Sequence, residues 1–117
     1  NSSSVMATYL EMDQLPCEAG KKYRIGVGAT WAMSSSSYDF EADVTVSYEG
    51  GADVIIGQLK QEAQEAGTDQ KISSYQPFIF TPANAGNYTF KIKYRAENGD
   101  ATAYMWYAIL EVWRVEL

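Results

Sequence analysis

Asp39, Glu41 and Asp43 stand at alternate positions of one extended run, and Lys91, Lys93 and Arg95 repeat that spacing later with the opposite sign. Carboxylates in this pattern have two uses, holding a cation or pairing with a cationic strand. Alternate residues on a flat strand spread their oxygens too widely for a compact calcium cage, and no Asp-x-Asp-x-Asp-Gly loop is present. Pairing is the reading taken here. In an antiparallel pair of strands, Asp39 meets Arg95, Glu41 meets Lys93 and Asp43 meets Lys91. Each such pair is worth roughly 0.2–1 kcal/mol, so the ladder sets register more than stability.

Nucleophilic chemistry finds little to work with. The chain has no histidine, which removes Ser-His-Asp and Cys-His systems, imidazole metal sites and imidazole pH switches. A lone Cys17 excludes a disulfide framework, a CxxC pair and multi-cysteine zinc sites. Lys21 and Lys22 lie near it in sequence, which is not enough to activate a thiol. A carboxylate-pair glycosidase needs no histidine, but no cleft-forming insertion is visible. The sequence therefore predicts a non-enzyme with no catalytic residue, no cofactor and no metal. Asn87-Tyr88-Thr89 and Asn1-Ser2-Ser3 match the glycosylation sequon, which matters only in a eukaryotic secretory setting.

Contact surface is the better-supplied chemistry. In the last strand Tyr104, Trp106, Ala108, Leu110 and Val112 share one face, and Met105, Tyr107, Ile109 and Trp113 share the other. A strand apolar on both faces either carries one into an interface or curls so that its halves serve different core layers. Trp, Tyr and Met are enriched in interface cores, so Tyr104, Trp106, Tyr107 and Trp113 are candidate interface residues. Met6, Leu10 and Met12 offer a second such face in the first strand. Trp106, Tyr104 and Tyr107 also suit a sugar-stacking platform, although the neighbouring Ala, Ile and Leu fit protein contact better.

These residues need strands to position them. The chain of 117 residues is one domain by size, 46% hydrophobic and 14% aromatic, a balance that leans towards β structure. Nine basic against 15 acidic residues give a net charge of −6, which disfavours nucleic acid. No apolar run approaches the length of a membrane span, and no cleavable signal is visible. The first residue is Asn1, which leaves secretion open. Residues 1–4 read as a polar arm and 5–117 as the folded domain. Alternation predicts strands over 5–12, 22–31, 38–48, 53–59, 71–81, 87–96 and 101–115. Gly26 and Gly28 fall on the outer face of the second strand, leaving room for a bulge or a neighbouring backbone. Residues 58–66 support two readings, a short helix with Leu59, Ala63 and Ala66 on one stripe, or a polar strand. Glu49-Gly50-Gly51 is a strong turn signal, and Asn98-Gly99 predicts a type I′ hairpin. The expected fold is an all-β antiparallel sandwich of Greek-key or jelly-roll type, with about seven or eight strands.

Two resemblances add to this reading. Asn84-Ala85-Gly86-Asn87-Tyr88-Thr89-Phe90 resembles the corner before the penultimate strand of immunoglobulin-like domains. Asn84, Gly86 and Tyr88 match that pattern, while Phe90 replaces its cysteine, so the likeness implies the corner without the disulfide. The whole chain, with its apolar ending from Tyr104 to Val115, resembles the small β-sandwich proteins of tailed-bacteriophage virions, of the capsid decoration or fibre-head type. That likeness implies a structural protein of the virion that forms homo-oligomers and stabilises a larger shell or fibre. A secreted carbohydrate-binding or adhesin module, including a fibre receptor-binding domain that meets surface glycan, is the alternative.

Overall fold

The computed structural model describes residues 6–115, so the polar arm assigned to 1–4 lies outside the described residues. Seven strands follow one another: β1 Ala7–Cys17, β2 Lys22–Met33, β3 Asp39–Tyr48, β4 Val54–Glu62, β5 Ile72–Phe80, β6 Gly86–Ala96 and β7 Ala103–Val115. They form two antiparallel sheets, ordered β1-β6-β3-β4 and β5-β2-β7, with the core between them. The antiparallel β-sandwich expected from alternation is the observed fold.

The core follows from period-two alternation. Tyr23, Ile25, Val27, Ala29 and Trp31 of β2 meet Phe40, Ala42, Val44 and Val46 of β3 and Tyr88, Phe90 and Ile92 of β6. Trp31 stacks on Phe40 at 4.7 Å, and its indole N–H donates to Gln61 Oε1 at 3.2 Å and to Ser74 Oγ at 3.1 Å. That satisfies the one polar atom of the largest buried side chain. Gly57 gives the ring of Phe78 its seat, because a Cβ there would land on that ring.

Several expectations change. The immunoglobulin strand order places the first strand beside the second and the last beside the penultimate. Here the terminal strands are exchanged: β1 lies beside β6 and β7 beside β2. Asn98-Gly99 consequently joins strands of different sheets and is no hairpin. Neither residue has the positive φ that a type I′ turn requires. Instead Ala101 N donates to Asn98 O and Asp100 N to Asn98 Oδ1, an Asx-type turn. The turn with two positive φ values is Glu49-Gly50, at 49° and 76°, between β3 and β4. Residues 58–62 continue β4 as a strand, and no helix occurs over 58–66.

The predicted corner forms. The Tyr88 hydroxyl donates to the Asn84 carbonyl at 2.6 Å. Gly86 has φ 156°, and a Cβ on it would stand 2.6 Å from Tyr48 Cε1.

Candidate functional site

The two broad outer faces of the sandwich differ in chemistry. On the four-stranded sheet the charge ladder exists, but its register is displaced by two residues from the predicted one. Glu41 lies opposite Arg95, Asp43 opposite Lys93 and Thr45 opposite Lys91. The physical reason is the β6 end of the pair: Glu97 N donates to Asp39 O, which sets Asp39 against Glu97 rather than Arg95. Arg95 Nε bonds Glu41 Oε2 at 2.7 Å, and Lys60 of β4 approaches Glu41 at 3.3 Å, Glu97 at 3.4 Å and Asp39 at 3.9 Å. Lys91 and Lys93 reach across β3 to Asp53 instead of to the β3 acids.

These long side chains roof the central strand, so Glu41, Asp43, Thr45 and Ser47 are buried although they point away from the core. The hydrogen bond from Lys93 holds the Asp53 carboxyl below the ordinary carboxylate range, reinforced by Lys91. The Asp39 backbone N–H does the same for Glu97, and Glu41 pushes the Lys60 ammonium up. Of the ladder's opposed pairs only Glu41 and Arg95 form an ion pair, and Asp43 Oδ1 and Thr45 Oγ1 are buried without a hydrogen-bond partner. Among the described residues no cluster of acids, cysteine or histidine has the geometry to hold a metal ion.

The outer face of the three-stranded sheet is built from other material. Two residues of β7, Tyr107 and Ala108, oppose the single Ala29 of β2, and Tyr107 takes φ 50°. This β-bulge switches the phase of the strand. Ala103 and Met105 point inward before it, and Ala108, Leu110 and Val112 pack against the core after it. Tyr104, Trp106, Ile109, Glu111 and Trp113 therefore share the outer face. The predicted division, with Tyr104 and Trp106 opposite Ile109 and Trp113, is corrected by that one extra residue. Tyr107 itself is 80% exposed, although a bulky side chain at positive φ is unfavourable.

The neighbouring strands complete the face. Register places Ser73, Tyr75, Pro77 and Ile79 of β5 beside Thr30, Gly28, Gly26 and Arg24 of β2, with Lys71 just before β5. The phenol of Tyr75 lies across the two glycines: a Cβ on Gly26 would strike its hydroxyl, and one on Gly28 would stand 3.3 Å from its ring. The glycines thus admit a side chain, and the bulge that the sequence also allowed for falls directly after Gly28, in the pairing with β7. Arg24 Nη1 donates to the Tyr75 hydroxyl at 3.0 Å, and that hydroxyl donates to Glu111 Oε2 at 3.3 Å. Tyr104 stacks beside Trp106 at 6.0 Å, and the Lys71 ammonium sits 4.7 Å from the Trp106 ring centre. Trp113 is 60% exposed, and Tyr75, Ile79 and Ile109 are about half exposed.

The remaining candidates sit elsewhere. Two bulges in β1 turn Leu10, Met12 and Leu15 towards Ile92, Phe90 and Tyr88, and all three pack against the core. Leu10 and Met12 are therefore core margin, and Met6 is half-buried just before the strand. Cys17 is buried at the end of β1, where burial pushes its thiol pKa up, away from thiolate chemistry. Thr89 of the sequon at Asn87 is buried, its hydroxyl bonded to Asp13. An apolar groove of about 440 Å³ opens between β4 and β5, lined by Val46, Tyr48, Val54, Ile56, Phe80 and Tyr88 among others.

Sequence reasoning missed Arg24, Lys71, Tyr75 and Ile79. Alternation in β5, with Ile72, Phe78 and Phe80 inward, already placed Tyr75 and Ile79 outward. The pairing of that strand with the Gly26-Gly28 pair was the part not visible. No protein-family model and no curated protein matches this chain.

Proposed function

We propose that the chain is a non-enzymatic contact module whose working surface is the outer face of the three-stranded sheet. The observation that carries this is the gathering of Tyr75, Ile79, Ile109 and Trp113, half exposed or more, on one flat face beside Tyr104 and Trp106. With side chains of about 150–250 Å², the exposed part of these four is on the order of 400–500 Å², the size of the largest apolar patch on a typical monomer, which is often a functional one. The first reading of that surface is the virion structural protein that the sequence resembles, a decoration or fibre-type module stapling copies of itself to a larger protein shell. Light scattering on purified protein tests it. The expected result is a closed oligomer that Ile109→Lys dissociates without unfolding. A monomer, with or without that substitution, would count against stapling.

A carbohydrate-binding or adhesin-type module is the second reading, and the β7 bulge favours it. Ala108 and Leu110, which made the aromatic strip look suited to protein, point into the core. Ile109 and Ile79 remain on the face, but beside Tyr104, Trp106 and Trp113 it also presents Thr30, Ser73, Lys71, Arg24, Glu111 and the Tyr75 hydroxyl. Aromatic planes with polar groups beside them suit a hydroxylated ligand.

A further inference from the structure

We infer that the ligand of this face is an acidic polysaccharide, bound as an extended chain along the sheet; the inference rests on the carbohydrate-binding reading above. Charge distribution points to an anion. The protein carries a net −6, yet among the described residues the three strands of this face and the residue leading into β5 present Lys22, Arg24 and Lys71 outward against Glu111, with Glu65 near Lys71 at the margin. On the opposite face Asp39, Glu41 and Asp53 are matched by Lys60, Lys91, Lys93 and Arg95 in ion pairs, so the uncompensated cations lie on the three-stranded face. A cationic face on an acidic protein steers anions to itself and repels a second acidic copy elsewhere.

The arrangement also points to a chain. Lys71 sits over Trp106 at one end of the face, and Arg24 is the register partner of Trp113 at the other. Trp106 lies opposite Thr30 and Trp113 opposite Arg24, six residues apart on β2, which is about 20 Å of strand. At the first end the ammonium lies against the ring; at the second Arg24 springs from the position opposite Trp113, with its guanidinium turned towards Tyr75. Between them Tyr75 lies flat over Gly26 and Gly28, leaving a shallow floor whose polar atoms are its hydroxyl and the Glu111 carboxylate. A sugar ring can stack at each tryptophan while its carboxylate meets Lys71 or Arg24. A monosaccharide reaches only one end, so two-point binding requires an oligomer.

Four carboxylated polymers, polygalacturonate, alginate, hyaluronan and polysialic acid, are the probes, with fully methyl-esterified polygalacturonate as the uncharged form of the same backbone. Binding is read by calorimetry on the intact protein. At least one acidic polymer is expected to bind, more than tenfold tighter than its monosaccharide, with no binding of the ester. Lys71→Gln and Arg24→Gln together should weaken it roughly tenfold, as expected for two exposed ion pairs plus their aromatic contacts. Trp113→Ala should weaken it about as much, with the melting temperature unchanged. Equal binding of the ester overturns the charge requirement. Binding of polyglutamate that matches the polysaccharide and survives Trp113→Ala reduces the effect to bulk charge and overturns the inference. If no polymer binds but the protein is an oligomer that Ile109→Lys dissociates, the ligand is wrong and the contact face stands. If no polymer binds and the protein is monomeric, both readings fall.

Discussion

Replacing Gly26 by Ala tests whether the flat floor of the aromatic face is what the two glycines are for. The new Cβ would strike the Tyr75 hydroxyl, stand 3.0 Å from Cζ and 3.1 Å from Glu111 Oε2, so the phenol must leave its seat. It then loses the hydrogen bonds to Arg24 and Glu111 and the guanidinium 5.7 Å from its ring centre. Two exposed hydrogen bonds and one exposed cation–π contact together contribute about 1.5–2 kcal/mol. Against this, Ala in place of Gly within a strand returns about 0.5–1 kcal/mol of conformational entropy. The net expectation is destabilisation by about 1 kcal/mol, or roughly 4 °C in melting temperature for a domain of this size. In a Tyr75→Ala background the obstacle is gone, and Gly26→Ala should stabilise by about 0.5 kcal/mol. Denaturant unfolding of the four proteins of the cycle gives the sign directly. An equal cost of Gly26→Ala in both backgrounds would refute the idea that the glycine exists to seat Tyr75.

The four-stranded face and the bulge offer further checks. A double-mutant cycle on Glu41 and Arg95 should show coupling of about 1–2 kcal/mol, and one on Asp39 and Arg95 a clearly smaller one relayed through Lys60 and Glu41, the reverse of what the register shifted by two requires. Thr45→Val should raise stability by up to about 1 kcal/mol in thermal unfolding, because the Thr45 hydroxyl is buried without a partner. Tyr107→Gly should stabilise by about 1 kcal/mol, since φ 50° is unfavourable for tyrosine and the side chain is largely exposed. Folded-state pKa values held down at Asp53 and Glu97 contribute stability that is present above the unfolded carboxylate values. It is lost as pH falls below about 4, and Asp53→Asn should flatten the acid limb of a melting curve taken from pH 7 to pH 2.

Alternation alone made most of the sandwich legible. β3 and β6 have unbroken period two, and Phe40, Ala42, Val44 and Val46 with Tyr88, Phe90, Ile92 and Ala96 face the core as alternation expects, while Tyr48 at the end of β3, read as inward, is exposed. The corner at Asn84-Gly86-Tyr88 was legible because its chemistry is local: one hydroxyl, one carbonyl four residues back, one crowded glycine. What was not legible depends on a partner strand. The ladder register is decided by the Glu97-to-Asp39 backbone bond, and no pattern within either strand distinguishes it from a shift of two. The β7 bulge carries Tyr at positive φ where glycine is the usual marker, so the strand looks continuous and its second half is read in the wrong phase. Asn98-Gly99 misleads because the dipeptide reports a turn, while whether the turn stays in one sheet depends on where β7 lodges.

The exchanged terminal strands bear on how such a molecule makes contact. A sandwich of open sheets has four edges, each able to pair with a passing strand unless something prevents it. Here each edge is interrupted. β1 carries two bulges, with Gln14 at φ 55° and Pro16 beyond it. β5 has Pro77 at its middle, β4 a bulge between its pairings to Val44 and Thr45, and β7 the Tyr107 bulge. Interruption of all four edges disfavours growth by strand addition and leaves the broad faces for contact. Of those, the four-stranded face has most of its charges paired by Arg95, Lys60, Lys91 and Lys93, so opening it for a partner means breaking ion pairs that roof buried carboxylates. The three-stranded face has no such roof. Its aromatic rings, cations and hydroxyls are already ordered by the sheet and by the Arg24-Tyr75-Glu111 bonds, so little further ordering is required on binding. The bulge that interrupts the β7 edge is also what carries Ile109 and Trp113 onto that face beside Tyr104 and Trp106. One extra residue thus closes an edge to strand pairing and assembles the surface proposed for recognition.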